Sequence, residues 1–238
     1  MTIKPQSQVD YWLKKATPHQ TKALENASRY FNQNDAFTVN TLEAIYGQES
    51  DFGTNLRTPG IIGAAGHFQI ERNTAERYGA TNITKKNDPR FDIDNSSEIA
   101  ARYIVDINSY FIKATPLTKN LKTIAIKNID ERKLFVIASY NAGEGRIAKA
   151  QEEAKKAGKN PEIWEDVKNY LEAAGASRSK VEEIIKYVKK VTEHEKELSK
   201  KSPANKKLKD KEPKKLSSIE DGNWVTFEGR HILMKKKA

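Results

Sequence analysis

The chain has 238 residues, 37% of them hydrophobic, with no cysteine and a formal charge of +10. Without cysteine there are no disulfides, no thiol nucleophile and no cysteine-held metal, and a mean hydropathy of -0.77 implies that part of the length is solvated extension rather than packed interior. A pI near 9.4 favours an anionic partner, and nucleic acid, an acidic membrane surface and the anionic bacterial cell wall all qualify.

The opening MTIKPQSQVDYWLKK lacks a continuous apolar run of the signal-peptide kind, and no stretch is long and apolar enough to span a bilayer. Export is therefore expected to need another route: a holin-type escape, a virion that carries the protein, or a leader outside this sequence. Helical spacing dominates from about residue 7 to about residue 200, so a mainly α fold is expected. The first helical segments are SQVDYWLKKA, HQTKALENASRYFNQ and FTVNTLEAIYGQE.

In the third of these, Leu42, Tyr46 and Glu49 fall on one stripe, with Val39 near it. A carboxylate thus stands where an apolar residue is expected. One reading is a rim residue that reaches water or pairs with a nearby Lys or Arg. The other is a carboxyl facing a cleft. Glu49 lies in the last turn, where the negative helix end and partial desolvation both disfavour the ionised form and are expected to raise its pKa. A carboxylic acid that keeps its proton near neutral pH suits a general acid for glycoside cleavage.

Next comes DFGTNLRTPGIIGAAGHFQIE, residues 51–71, rich in Gly, Thr and Asn, with Pro59-Gly60 marking a turn. A loop or short hairpin is expected, and glycine in it lets backbone approach a ligand closely. Gln69, between Phe68 and Ile70, reads equally as a buried amide bonding the loop backbone. Helical spacing resumes in NSSEIAARYIVDINSYFIKA, where Asn95 with Glu98 resembles a capping box, and in DERKLFVIASYNA, which Asp130 can cap. Tyr140 shares that helix with Leu134 and Ile137, a pattern that also fits simple ring packing. EGRIAKAQEEAKKAG, NPEIWEDVKNYLEAAG and SKVEEIIKYVKKVTEHEKEL follow, with Gly158 and Gly175 placed where helices end.

From His194 onward lysine takes over and most of the positive excess accumulates. One helical domain is expected over 1–193, a flexible basic linker over 194–221, and a short C-terminal hairpin or tail over 222–238, where NWVTFEGRHILM alternates around Glu228-Gly229. The basic tail is read as an electrostatic tether to anionic wall polymers or a membrane surface, or as a merely solubilising extension. A helical nucleic-acid-binding protein would need one basic face with aromatic or Arg readers, whereas the excess here sits in the tail. His19, His67, His194 and His231 show no i, i+4 pairing with a carboxylate, so no metal is expected. No cofactor is implied, and oligomeric state is not legible.

Four motifs occur in fixed order: Glu49-Ser50, GAAGHFQI from Gly63 to Ile70, Thr74-Ala75, and YNAGEG from Tyr140 to Gly145. In order and spacing they resemble the lysozyme-like soluble lytic transglycosylase (SLT) family, which also takes in goose-type lysozymes and many phage muramidases. The resemblance covers roughly residues 38–190 and implies a lysozyme-like helical domain with the Gly-rich loop or small hairpin at a sugar-binding cleft. By that resemblance Glu49 is the single catalytic acid and base. Ser50 holds the loop or contacts sugar, Gln69 lines the cleft, Tyr140 donates a hydrogen bond near the Glu49 carboxylate, and Asn141 steadies that arrangement or touches substrate. Gly63 and Gly66 supply close backbone approach. His67 and Phe68 stand where the family usually has Leu and Met, and both are expected to pack or to stack on a sugar. Arg72 and Glu144 each replace a common Pro. The C-terminal hairpin resembles short ends found on some phage particle proteins, which points to a phage or mobile-element origin.

The implied reaction is cleavage of the MurNAc-GlcNAc β-1,4 bond of peptidoglycan. Common glycosidases use two carboxylates, whereas the resemblance implies one here, with a 1,6-anhydro-MurNAc product. A hydrolytic muramidase would need a second carboxylate, for which Asp51, Glu71, Asp92, Asp94 and Glu144 are candidates. The transglycosylase is the favoured expectation, the muramidase the alternative, and a non-catalytic wall-binding or virion structural module the third reading.

Overall fold

A computed structural model describes residues 6–56, 63–84 and 86–202, and the backbone of residues 224–227 and 230–233. The chain divides into two compact units, residues 1–204 and 205–238. The first is mainly helical, as its spacing predicts. Its order is α1 (Gln8–Lys15), α2 (Pro18–Ala27), α3 (Val39–Ser50), β1 (Ala64–Ala65), β2 (Ile70–Glu71), α4 (Arg72–Arg77), α5 (Ile93–Ile112), β3 (Pro116–Thr118), β4 (Leu121–Lys122), α6 (Ile129–Ala142), α7 (Glu144–Lys156), α8 (Trp164–Val167) and α9 (Arg178–Lys201).

Local chemistry starts the first two helices. Ser7 accepts from the Asp10 amide while Asp10 accepts from that of Ser7, and Thr17 with Gln20 does the same around Pro18. Two other starts differ from the expected ones. Asp92, not Asn95, caps α5, its Oδ1 accepting from the Asn95 amide at 2.9 Å, because burial of Ile93 draws the helix start back. Asn128 caps α6, accepting from the Asp130 and Glu131 amides at 2.9 and 3.0 Å, so Asp130 sits inside the first turn.

Over residues 160–175 the helical pattern yields only α8 and a 3-10 turn at Lys168–Tyr170. Asn169 Nδ2 donates to the Glu165 and Asp166 carbonyls at 2.8 and 3.4 Å, competing with a continued ladder. The opposite occurs at α9, which runs past the expected boundary at residue 193. Val191 and Leu198, one heptad apart, are fully buried, and Lys201 Nζ reaches Asp10 at 2.7 Å and Glu197 at 2.5 Å. The charged composition there belongs to an outer helical face.

The core is built around α3, which packs along α9, while α2 packs on α5 and α6 lies against both α5 and α9. Because α3 threads this interior it is not the amphipathic helix its stripe suggested: everything from Val39 to Gly47 is buried and only Gln48 and Glu49 are half-exposed. Trp12 of α1 lies so close over Gly47 that a Cβ there would overlap its ring. The second unit contains β5 (Trp224–Phe227) and β6 (Arg230–Leu233), paired antiparallel with Val225 opposite Ile232.

Candidate active site

Directly after Glu49 the chain makes an abrupt exit from α3. Asp51 (φ 51°) and Phe52 (φ 59°) are both left-handed, a conformation that costs non-glycine residues on the order of 1 kcal/mol each. Their surroundings hold them there. Asp51 Oδ1 accepts from Trp12 Nε1 at 2.6 Å and from Gln8 Nε2 at 2.8 Å, and the buried Phe52 ring packs against Trp12 and Tyr46. Ser50, 1% exposed, donates to the Tyr46 carbonyl at 3.2 Å and accepts from the Gly53 amide at 3.0 Å. It fastens the turn and is too buried to reach a ligand.

The Gly-rich loop closes as a hairpin in which Ala65 pairs with Ile70. Arg90, fully buried, pins it from beneath, donating to the Gly63 carbonyl at 2.7 Å and the Ile70 carbonyl at 3.0 Å while paired with Asp88 at 2.7 Å. The sequence gives little hint of this arginine, whose importance comes entirely from burial. Gly66 (φ +78°) is needed for contact with the chain itself rather than with a ligand, since a Cβ there would overlap the Arg90 backbone. Phe68 corrects another expectation: it is 0% exposed and stacks on Tyr46 with centroids 5.3 Å apart, so it offers no face to a sugar. His67 also packs inward. Its Nε2 lies 3.1 Å from the Phe91 carbonyl and Nδ1 3.1 Å from the Tyr46 hydroxyl. A carbonyl can only accept, so Nε2 carries the hydrogen and Nδ1 accepts from Tyr46. Burial pushes the imidazole below its usual pKa.

Two helices, α9 and α6, converge on Glu49. The Tyr187 hydroxyl of α9 donates to its Oε1 at 2.5 Å. Tyr140, on α6, donates instead to the Phe68 carbonyl at 3.0 Å; burial, then the charge of Glu49, push its hydroxyl well above the usual range. Tyr187 is raised by the same two causes in the same order. Both phenols therefore stay protonated and present O–H dipoles near the carboxyl. The expected donor, Tyr140, thus supports the loop, and the sequence reading missed Tyr187. A signal existed: Ile184, Tyr187, Val188 and Val191 form one buried stripe with a polar tip in it, as Glu49 does in α3.

Two cavities share Asn141 here. One, of about 280 Å³, is lined by Gln48, Glu49, Asn141, Glu183 and Tyr187, with Lys186 and Lys190 at its α9 edge. The other, about 380 Å³, includes Gln69, Glu71, Arg77, Tyr103, Tyr140 and Glu144. Asn141 borders both, its Nδ2 donating to Glu183 at 3.1 Å and its Oδ1 accepting from Lys180 at 3.2 Å. Gln69 (φ 45°) turns Nε2 back to the Gly66 carbonyl at 2.7 Å. Its Oε1 is buried without a partner.

The helix-end glutamate beside a groove, the pinned hairpin and the tyrosine-bearing α6 are the parts a comparison with known families can test. The family model described as "Transglycosylase SLT domain" matches residues 26–163. The chain belongs to this family. The SLT match contains Glu49, the hairpin and Tyr140, whereas Tyr187 and the rest of α9 lie beyond it. Among relatives, the chain is 32% identical over 130 residues to the membrane-bound lytic murein transglycosylase F of Marinobacter nauticus, covering 55% of this chain and 22% of that protein. The protein of the same name in Cronobacter sakazakii is 31% identical over 130 residues, covering 55% and 21%. A membrane-bound lytic murein transglycosylase F 2 of Alkalilimnicola ehrlichii is 28% identical over 151 residues, covering 62% and 29%. The chain thus spans between about a fifth and three-tenths of the length of these curated relatives. Among the described residues no helix is long and apolar enough to cross a membrane.

Proposed function

We propose that the chain is a peptidoglycan lytic transglycosylase in which Glu49 alone serves as acid and base at the MurNAc-GlcNAc β-1,4 bond. The observation that carries this reading is the placement of Glu49: the one carboxylate on α3 that opens to the groove, held by the Tyr187 hydroxyl at 2.5 Å. The Glu49 carboxyl gives its proton to the glycosidic oxygen as the bond to the anomeric carbon breaks, assisted by the neighbouring acetamido group. The C6 hydroxyl of the same muramic acid then closes on that carbon and returns its proton to the Glu49 carboxylate. Tyr187 stabilises the carboxylate formed midway. Gln69 and Asn141, which line these cavities, are proposed to bind sugar.

Single-carboxylate chemistry is supported by how the other candidates are engaged. Asp51 is bonded to Trp12 and Gln8, Asp92 caps α5, and Asp94 lies 2.6 Å from His19. Glu183, in the same cavity as Glu49, is paired with Lys180 at 2.7 Å. Glu71 and Glu144 line the second cavity and are the observation that keeps a hydrolytic muramidase as the second reading. The relatives' printed names, lytic murein transglycosylases, support the first. The expected site of action is the bacterial cell wall, with the Lys-rich segment after residue 204 as an electrostatic tether to its anionic polymers. Digesting purified peptidoglycan and weighing the muropeptides tests the assignment: anhydro ends support transfer, reducing ends the muramidase, and an uncleaved wall removes both.

A further inference from the structure

We propose that Lys186 and Lys190 of α9 form a cationic edge to the Glu49 groove that binds a carboxylate on the lactyl-peptide branch of the muramyl sugar. The inference rests on the proposed reaction only for the identity of the substrate. The two lysines line the same cavity as Glu49, and at i, i+4 they stand one turn apart on one helical face. Tyr187 sits between them and holds Glu49, so a group bound at this edge lies beside the reacting centre. Neither lysine forms an ion pair among the described residues, although acidic side chains are close in sequence. Glu183 is taken by Lys180 at 2.7 Å and Glu193 by Lys189 at 4.0 Å.

The charges there are not neutral spectators. Lys190 is half-buried, and after burial its charge is the next cause depressing the pKa of His194 one turn on. The charges of Glu197 and Glu193 act on the same imidazole in the opposite sense. The muramyl sugar carries anionic groups: its 3-O-lactyl branch ends in a carboxylate when bare, and in the several carboxylates of the stem peptide when substituted. A glycan strand lying along the groove projects this branch sideways, toward one wall. The α9 wall is the cationic one near Glu49, and it lies outside residues 26–163 that match the family model.

The test is binding, measured by calorimetry in the Glu49→Gln background so that turnover does not interfere. Ligands are a disaccharide-tetrapeptide with free carboxylates, the same molecule with its carboxyls amidated, and the peptide-free disaccharide. Lys186→Gln with Lys190→Gln is expected to weaken the free-carboxylate ligand about tenfold at low salt, with the gap closing as salt rises. The amidated ligand should bind both proteins alike, and Lys186→Arg with Lys190→Arg should restore the tight binding. An equal loss on the peptide-free disaccharide places the bound group on the lactyl carboxylate; no loss there places it on the stem. Unchanged affinity for the free-carboxylate ligand, an equal loss on the amidated one, or no binding of either by the parent overturns the proposal. An active-site Glu49 chain that leaves peptidoglycan intact would end the proposed reaction without altering this binding result.

Discussion

Helix α3 carries two glutamates that the molecule treats in opposite ways. Near its start Glu43, 2% exposed, accepts from Ser202 at 2.7 Å while its Oε2 has no partner. Burial foremost, aided by the charge of Glu25, pushes its pKa up to about 7 against the opposing Ser202 bond. Near the end Glu49 is half-exposed, faces the groove and accepts from a tyrosine. Two carboxyls on one helix thus differ in what lies over them: Ser202 at the end of α9 covers the first, and a cavity meets the second. Burial alone does not make a carboxyl catalytic; access for the atom that will receive the proton does.

The comparison breaks first at Glu49. Glu49→Gln is expected to lower peptidoglycan cleavage ~10²–10⁴-fold, the range for a general acid, with the thermal unfolding of the variant close to the parent's. Turbidity clearing and circular dichroism measure both; a variant clearing walls at the parental rate would remove Glu49 from the mechanism.

Glu43 should show the opposite profile. Its folded pKa is raised from 4.5 to about 7, so the folded chain keeps a proton that the unfolded chain has released. Stability is therefore full below about pH 4.5 and falls as pH rises toward 7, by ~3 kcal/mol at most. Glu43→Gln is expected to flatten that slope, leaving urea midpoints similar at pH 5 and higher than the parent's at pH 8. Wall cleavage at pH 5 should persist.

Tyr187→Phe sharpens the contrast by removing the hydroxyl from Glu49. A lost bond to a charged group of ~1.5–3 kcal/mol corresponds to a roughly 10- to 100-fold drop in turnover, with folding little changed. Should turnover hold, the 2.5 Å contact plays no part in the chemistry. The smallest effect belongs to Ser202→Ala, which takes a donor from Glu43 and should cost ~1 kcal/mol at pH 8 while moving the stability slope to higher pH, because the Ser202 bond lowers the Glu43 pKa.

Much of this was legible in the chain. Spacing in α5 and α9 foretold helices because each buries one stripe, and the Glu49, GAAGHFQI and YNAGEG motifs pointed to the family whose model matches residues 26–163. What composition misjudged was context. The lysine-rich turns of α9 read as linker because the eye counts charges, whereas Val191 and Leu198 decide the helix by packing inward. The stripe in α3 suggested a surface helix although every side but the last turn is covered.

Local order, in short, is written in residue types and their periods: caps, stripes, glycines at turns and a glutamate at a helix end follow from short-range sterics and hydrogen bonding. Only the tertiary structure decided which of two α3 carboxyls meets solvent, that Tyr187 rather than Tyr140 donates to Glu49, and that Phe68 faces the core. Those outcomes depend on contacts between residues far apart in the chain, 138 positions for Glu49 and Tyr187 and 72 for Tyr140 and Phe68, and no pattern along the chain encodes which distant partner arrives.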